Sequence, residues 1–264
     1  MDLQLNGKTA LVSGSTLGIG LAIASTLARE GATVIVNGRT QARVDETIAR
    51  ITRENPNAKL RGAAGDLSTV EGIESVAKSL PDVDILVNSV GAFEAKSFFD
   101  ISDADWQYMW DMNVMAGARL SRHYLRGMLN RNWGRIIFIS SESALNLPGA
   151  MLHYGVTKTA QLGLSRGLAE LTVGTAVTVN AVLPGPTRTE AMDDWLKGLA
   201  QQKGLTVAEA EKDYFETTRP SSLIRRFAHP LEIAALVAYV ASPLSAVTNG
   251  ASLRAEGGII HSIG

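Results

Sequence analysis

Short apolar segments alternate with amphipathic ones along most of this chain, and that alternation leaves few folds open to it. Residues 9–13, 33–36, 60–64, 84–87, 135–140, 176–183 and 251–254 read as strands. Between them, residues 18–29, 41–53, 103–130, 151–171 and 231–241 read as helices, as does a stretch carrying Ile73, Val76, Ala77 and Leu80 at helical spacing. Strands that alternate with helices pair in parallel, because each parallel connection needs a long crossover. The run 84–87 is apolar without alternation, as a strand covered on both faces should be. The expected fold is therefore α/β, a doubly wound, Rossmann-like parallel sheet with helices on both faces. Nothing resembling a linker or repeat interrupts the 264 residues, so a single domain over 1–264 is expected. The rhythm breaks only at 184–229, which holds two short helical stretches (191–202 and 207–217). Within it, 190–222 is read as a segment covering a substrate.

The first strand runs into the first helix through Ser13-Gly14-Ser15-Thr16-Leu17-Gly18-Ile19-Gly20. Glycines there allow a tight turn and close backbone approach, and the free N–H groups of the helix start suit a pyrophosphate. Gly14, Ser15, Thr16, Leu17, Gly18, Ile19 and Gly20 are accordingly candidate dinucleotide contacts, although the spacing G-x-x-x-G-x-G departs from the standard G-x-G-x-x-G. A tight strand–helix turn without a ligand would read the same way. The second strand ends in Asn37-Gly38-Arg39 rather than in the acidic residue that takes an NAD ribose hydroxyl. A guanidinium at Arg39, assisted by Arg43, suits the 2′-phosphate of NADP. NADP(H) is the preferred cofactor and NAD(H) the alternative; solvated arginines at a helix start are the plain reading.

The stretch 134–171 carries the chemistry. Tyr154 and Lys158 stand four apart on one helix, where side chains of a shared face lie about 5–6 Å apart at Cβ. A phenol near its usual pKa of about 10 exchanges protons poorly at neutrality; a neighbouring ammonium is expected to lower that value. Ser141, closing the preceding strand, can hydrogen-bond a carbonyl or hydroxyl beside the phenol. Proton transfer at an oxygen is the implied chemistry.

Composition excludes several other classes. With no cysteine, thiol nucleophiles, disulfides and thiolate metal sites are ruled out. His123, His153, His229 and His261 lack ligand spacing, so no metal is expected. A formal net charge of −1 offers nothing to nucleic acid or an anionic membrane. No apolar run approaches a membrane span, and the N-terminus lacks a signal-peptide pattern, so a cytoplasmic protein is expected. His153 is read as a partly exposed structural histidine, and Glu142 as facing solvent or capping a loop.

Taken in order, the glycine turn, Gly65-Asp66-Leu67, Asn88 to Gly91, Asn113, Ser141, Tyr154-x-x-x-Lys158, Pro184-Gly185 and Gly257-Gly258 resemble the short-chain dehydrogenase/reductase family in its compact form. The likeness spans Lys8 to about Gly258. It implies that Asp66 and Leu67 hold the adenine end of the cofactor, and that Asn88 and Gly91 close its cleft. It implies Tyr154 as acid/base, Lys158 as the group that lowers its pKa and binds the nicotinamide ribose, and Ser141 as the group that positions the substrate oxygen. Asn113 would anchor a water relaying protons through Lys158. Pro184 to Thr189 resembles the segment over the nicotinamide, with Thr187 and Thr189 as contacts. Two departures stand out: Ser89-Val90 where the family commonly has Asn-Ala, and Glu256 where aspartate is usual.

These roles imply interconversion of a carbonyl and an alcohol by hydride transfer on a small-molecule substrate, with reduction favoured by NADPH. A 3-oxoacyl-thioester reductase is the main alternative, with Arg225 and Arg226 as candidate contacts for its carrier. A non-catalytic dinucleotide-binding sensor or scaffold is the reading from another class; it would usually have lost the serine, tyrosine or lysine. Epimerases of the extended family need a further domain. Trp195, Leu196, Leu199, Tyr214 and Phe215 either face a pocket opposite Phe93 and Leu147 or pack the covering segment itself or a neighbouring subunit. The resemblance also implies a homotetramer or homodimer built on helices 103–130 and 151–171.

Overall fold

The computed structural model describes residues 1–263. Seven parallel strands form its sheet: β1 (Thr9–Val12), β2 (Thr33–Gly38), β3 (Lys59–Ala64), β4 (Ile85–Asn88), β5 (Gly134–Ile139), β6 (Val177–Pro184) and β7 (Ser252–Ala255). Their order across the sheet is β3-β2-β1-β4-β5-β6-β7. The chain thus winds outward from β1 in one direction, returns, and continues from β4 in the other. Such a reversal leaves a crevice at the carboxyl ends of the two central strands.

Residues along each strand alternate between two cores, as the pleat requires. Ala10, Val12, Val34, Val36, Ile85, Val87, Ile137 and Ile139 face one layer. That layer is built by α1 (Gly18–Arg29), α2 (Gln41–Glu54) and α9 (Pro230–Ala241). Leu11, Ile35, Leu86, Ile136 and Phe138 face the other, built by α3 (Val70–Ser79), α5 (Ala116–Asn130) and α6 (Leu152–Glu170). Helix starts are capped as their sequences suggest. Thr40 and Thr69 accept from the N–H of Arg43 and Gly72, and Ser102 forms a reciprocal capping box with Asp105 at the head of α4 (Asp103–Trp110).

One expected element is not continuous. The helix read over 103–130 is interrupted between α4 and α5 by a π-helical turn, Asp111–Met115, where the Ala116 N–H reaches back to the Asp111 carbonyl. Such turns push one side chain out of the helical register and cluster at functional sites; Asn113 lies within this one. The covering segment holds α7 (Glu190–Lys203) and α8 (Val207–Thr217).

At the amino ends of the strands, Arg135 is buried although no carboxylate forms an ion pair with it among the described residues. Its guanidinium instead donates to the carbonyls of Gly134 (2.9 Å), Ala176 (2.8 Å) and Ser242 (3.2 Å), and lies 4.8 Å from the centre of the Trp133 ring. Burial lowers its pKa to about 10, which still leaves it charged. This side chain joins β5, the entry to β6 and the end of α9. Arg135→Met is expected to cost about 2–4 kcal/mol, because three buried carbonyls lose a charged donor. Urea unfolding followed by circular dichroism checks this, and an unchanged midpoint would refute it.

Candidate active site

The crevice at the switch between β1 and β4 is bounded first by the glycine turn. Gly14 has φ +62°, and a Cβ on it would stand 2.9 Å from the Val90 Cα; one on Gly20 would stand 2.4 Å from the Gly14 carbonyl oxygen. Only glycine permits either approach. The Ser13 hydroxyl accepts from the N–H groups of Ser89 (2.8 Å) and Val90 (3.0 Å), sewing the turn to the loop after β4. On the other side, Asn37 at the end of β2 accepts from the Gly14 N–H at 3.0 Å and donates to the Ala63 carbonyl at 2.9 Å. Asn37 thereby holds three strand ends together, a role not read from the sequence, where only its neighbour Arg39 drew notice.

A cleft of about 440 Å³ opens over this turn. Gly14, Thr16, Leu17, Gly18, Ile19, Gly20, Arg39, Arg43, Asp66, Leu67, Gly91, Tyr154, Lys158 and Thr189 all line it. Arg39 and Arg43 are exposed and form no ion pair among the described residues. The Gly18 N–H, at the head of α1, is met by the chain's own anion, Glu190 Oε2 at 3.0 Å. That contact illustrates the pull of a helix N-terminus on negative charge.

Five of the expected cofactor contacts lie outside the lining. Ser15 is buried and exchanges hydrogen bonds with the Asn37 backbone. Asn88 turns away, its amide donating to Ser121 on α5 at 3.3 Å, so Gly91 bounds the cleft without it. Pro184 ends β6, and Gly185 packs so closely on Glu256 that a Cβ would lie 2.6 Å from the Glu256 carbonyl oxygen. The Thr187 hydroxyl is spent on the Gly185 carbonyl, at 2.8 Å, leaving Thr189 as the threonine of that segment that reaches the cleft. All five lie at the turns where they were expected; side-chain direction, and for Gly185 close backbone packing, separates them from the lining residues.

Tyr154 and Lys158 line the cleft, with Ser141 and Asn113 behind them and outside its lining. Ser141 follows β5 and opens a single 3₁₀ turn, its hydroxyl accepting from the Ser143 N–H at 3.1 Å. Tyr154 and Lys158 extend from the first turns of α6, with the Lys158 Nζ 5.7 Å from the centre of the phenol ring. Asn113 projects from the π turn: its amide accepts from the Ala92 N–H (2.8 Å) and donates to the Ala92 carbonyl (3.0 Å) and the Thr157 hydroxyl (2.9 Å). Phe93 meets the Tyr154 ring edge-on at 6.4 Å. Leu147 packs at Gly155, where a Cβ would be 3.3 Å from it.

The electrostatics differ from expectation. Burial pushes the Tyr154 phenol up to about 12; a hydrogen bond with Ser141 opposes this and the Glu142 charge adds to it. Lys158 does not pull the phenol down here. Its Nζ is buried, donates to the Ile139 carbonyl (3.0 Å) and Gln161 Oε1 (3.2 Å), and its own pKa falls to about 8 through desolvation. Asn113 and Lys158 are also joined by a side chain: Gln161, which accepts from Lys158, donates from Nε2 to the Asn113 carbonyl at 2.5 Å.

Two further readings are corrected by burial. His153 is fully buried against Trp106, with rings 6.0 Å apart, and Glu142 is 3% exposed. Arg219, beyond α8, grips Glu142 Oε1 from Nε (3.1 Å) and Nη2 (2.9 Å), tying the covering segment to the residue after Ser141. Within that segment Leu196, Phe215 and Phe227 are buried together with Leu199 and Tyr214 against them, so these side chains pack the segment itself. Trp195 stays half exposed on Tyr214. Arg226 is held by both Glu232 oxygens, at 2.7 and 2.8 Å.

Burial raises the Glu142 pKa above the ordinary carboxylate value, and the Arg219 guanidinium opposes that rise. Arg219→Met should raise it further, while the unfolded chain ionises at the ordinary value. The folded state then holds a proton that the unfolded state has released, so stability falls as pH rises through that window. The loss is expected to be about 2–4 kcal/mol at pH 8 and smaller at pH 5; equal losses in urea melts at the two pH values would refute this assignment.

The family model described as short chain dehydrogenase matches residues 8–199. The chain is 49% identical over 263 residues, covering 100% of both chains, to the oxidoreductase YvaG of Bacillus subtilis (strain 168). It is 30% identical to the 3-oxoacyl-[acyl-carrier-protein] reductase FabG of Aquifex aeolicus (strain VF5), covering 98% of this chain and 100% of the relative. The crystal structure of L-sorbose reductase from Gluconobacter frateurii, complexed with NADPH and L-sorbose, superposes with a TM-score of 0.94 at 30% identity over 100% of both chains. A dinucleotide-type crevice with serine, tyrosine and lysine at one end, on a chain matched so fully, belongs to the short-chain dehydrogenase/reductase family of oxidoreductases.

Proposed function

We propose that this protein is an NADP(H)-dependent oxidoreductase that interconverts a ketone or aldehyde and the corresponding alcohol. The observation that carries this reading is the grouping of Tyr154, hydrogen-bonded to Ser141, with Lys158 on a cleft that is also lined by Arg39 and Arg43, two guanidiniums that form no ion pair among the described residues.

The cleft fits a phosphorylated dinucleotide. Its floor is a turn that excludes a Cβ at Gly14 and Gly20, so a pyrophosphate could approach the head of α1 closely, where it would take the Gly18 N–H from Glu190. Arg39 and Arg43 would take the 2′-phosphate, Asp66 and Leu67 the adenine end, and Gly91 and Thr189 the rest of the cleft wall. When bound, the nicotinamide supplies or accepts a hydride. Lys158 and Tyr154 would hold its ribose and keep the reacting end against α6. The L-sorbose reductase complexed with NADPH supports the choice of cofactor, as does the absence of an acidic residue at Gly38.

In reduction the substrate oxygen would sit between the Ser141 and Tyr154 hydroxyls. Ser141 steadies the charge developing on that oxygen, the kind of contribution that often dominates catalysis. Tyr154 gives up its phenol proton to it, and the Lys158 ammonium stabilises the phenolate left behind. Phe93 meets the phenol edge-on, and the segment 190–222, latched to Glu142 by Arg219, would exclude water above it.

A 3-oxoacyl-thioester reductase is the second reading. The FabG relative supports it, whereas the engagement of Arg226 by Glu232 leaves Arg225 as the remaining candidate for a carrier. A non-catalytic sensor fits poorly with a serine, tyrosine and lysine all kept and all brought together.

Tyr154→Phe is expected to lower kcat for NADPH-linked carbonyl reduction by about 10²–10⁴-fold while NADPH still binds. Stopped-flow absorbance and cofactor fluorescence measure the two effects, and normal turnover in this variant would end the mechanism. Arg39→Ala should weaken NADPH binding about tenfold or more and leave NADH unaffected, since only the former offers a 2′-phosphate. Equal loss for both cofactors by titration calorimetry would count against that role.

A further inference from the structure

Gln161 is almost fully buried, lies one helical turn beyond Lys158 on α6, and belongs to no motif read from the sequence. Both ends of its side chain are used. Oε1 accepts from Lys158 Nζ at 3.2 Å, and Nε2 donates to the Asn113 carbonyl at 2.5 Å. The partners fix which end is which. A flipped amide would aim its NH₂ at an ammonium and its carbonyl at a carbonyl, leaving both contacts repulsive. The Asn113 carbonyl is presented by the π turn, and the Asn113 side chain is already committed to Ala92 and Thr157.

We propose that Gln161 is a positioning residue: its amide spans the Asn113 carbonyl and the Lys158 ammonium and holds that ammonium charged and in place below Tyr154. An amide has no protonation step in the working pH range, so this bridge transmits orientation and charge stabilisation rather than protons. It stands in, at that link, for the water relay that the family resemblance implies. The inference rests on the catalytic reading of Tyr154 and Lys158 only for its consequence in turnover; the bridge itself is a property of the free protein.

The surroundings of Lys158 make the bridge matter. From β5 it receives one backbone carbonyl, that of Ile139. From the loop after β4 it meets Gly91, where a Cβ would be 3.5 Å from Nζ. From the π turn it meets Asn113 through Gln161, and on its own helix Tyr154. Glu142, on the turn after Ser141, acts on the phenol, and no carboxylate forms an ion pair with Lys158 among the described residues. With desolvation already lowering its pKa to about 8, each neutral acceptor counts toward keeping the charge.

The test labels the free, full-length protein with ¹³C-lysine and follows the Lys158 ε-methylene signal, identified by its loss in Lys158→Arg, through a pH titration. Gln161→Leu removes one acceptor from the ammonium and is expected to move the Lys158 midpoint about one pH unit lower. Gln161→Glu keeps the shape but sets a carboxylate there, and is expected to move the midpoint higher. In turnover, Gln161→Leu should shift the basic limb of kcat for NADPH-linked reduction downward by a similar interval, costing about tenfold in kcat above that limb, with KM for the carbonyl within about twofold. Midpoints in both variants that coincide with wild type overturn the bridge. Should Gln161→Leu fail to fold, Gln161→Glu decides alone: a raised midpoint supports the bridge and an unchanged one overturns it. Midpoints that shift while the wild-type protein reduces no carbonyl with NADPH would refute the catalytic reading and leave the bridge standing.

Discussion

How closely two backbones meet where the strand order reverses decides whether this molecule has a cleft at all. With 2.9 Å from a notional Gly14 Cβ to the Val90 Cα, the turn after β1 and the loop after β4 form one continuous wall. Ser13 makes that wall cohesive by accepting two N–H groups from the opposite loop, and Asn37 braces it from β2. A side chain at Gly14 would part the two segments, and the head of α1 would no longer face the carboxyl ends of β1 and β4. The anion-attracting end of the cleft is thus a consequence of packing before it is a matter of charge.

The same loop carries the chemistry at the other end. Ser89 and Val90 bind the glycine turn, while Ala92, two residues on, is clasped by the Asn113 amide through both its N–H and its carbonyl. Asn113 can make that clasp and still reach Thr157 on α6 because the π turn displaces it from ordinary helical register. A regular helix through 103–130 would have carried that side chain around the axis and away from one partner. The irregularity therefore joins three elements, and residues 89–92 of the loop carry the contacts to both the glycine turn and Asn113.

The alternation of apolar and amphipathic segments made the sheet and its two layers legible, with element ends displaced by one or two residues. A four-residue spacing likewise brought Tyr154 and Lys158 to one face, and family order placed Ser141 and Asn113. Three kinds of feature escaped. Side-chain direction at chain turns did, so that Asn88 and Thr187 were assigned to a lining from which their hydrogen bonds withdraw them. Burial of charge did as well: Arg135 reads as the polar start of a strand and Glu142 as a loop residue, yet each is enclosed with partners far along the chain. The π turn escaped because its cause lies in tertiary contacts of Asn113 and Gln161, and no local propensity marks it. In the covering segment, Tyr214 and Phe215 read equally as pocket or packing residues, and Phe227, brought back beside them, supplies the core that decides for packing.

Burial acts on Tyr154 and Lys158 in opposite senses. It raises the Tyr154 phenol to about 12 and lowers the Lys158 ammonium to about 8, so that the lysine is the first to lose its proton as pH rises. Near neutrality the free protein therefore holds a protonated phenol beside a charged amine. That is the state a general acid must be in before reduction, and it needs no prior proton movement. Oxidation would need the phenolate first, formed in a site where burial and the Glu142 charge both oppose it. In the free protein Lys158 does not offset that opposition, so on the proposed mechanism its charge would have to act once cofactor and substrate fill the cleft. The Ile139 carbonyl and the Gln161 amide hold its Nζ without adding a carboxylate, whose charge would oppose a phenolate further.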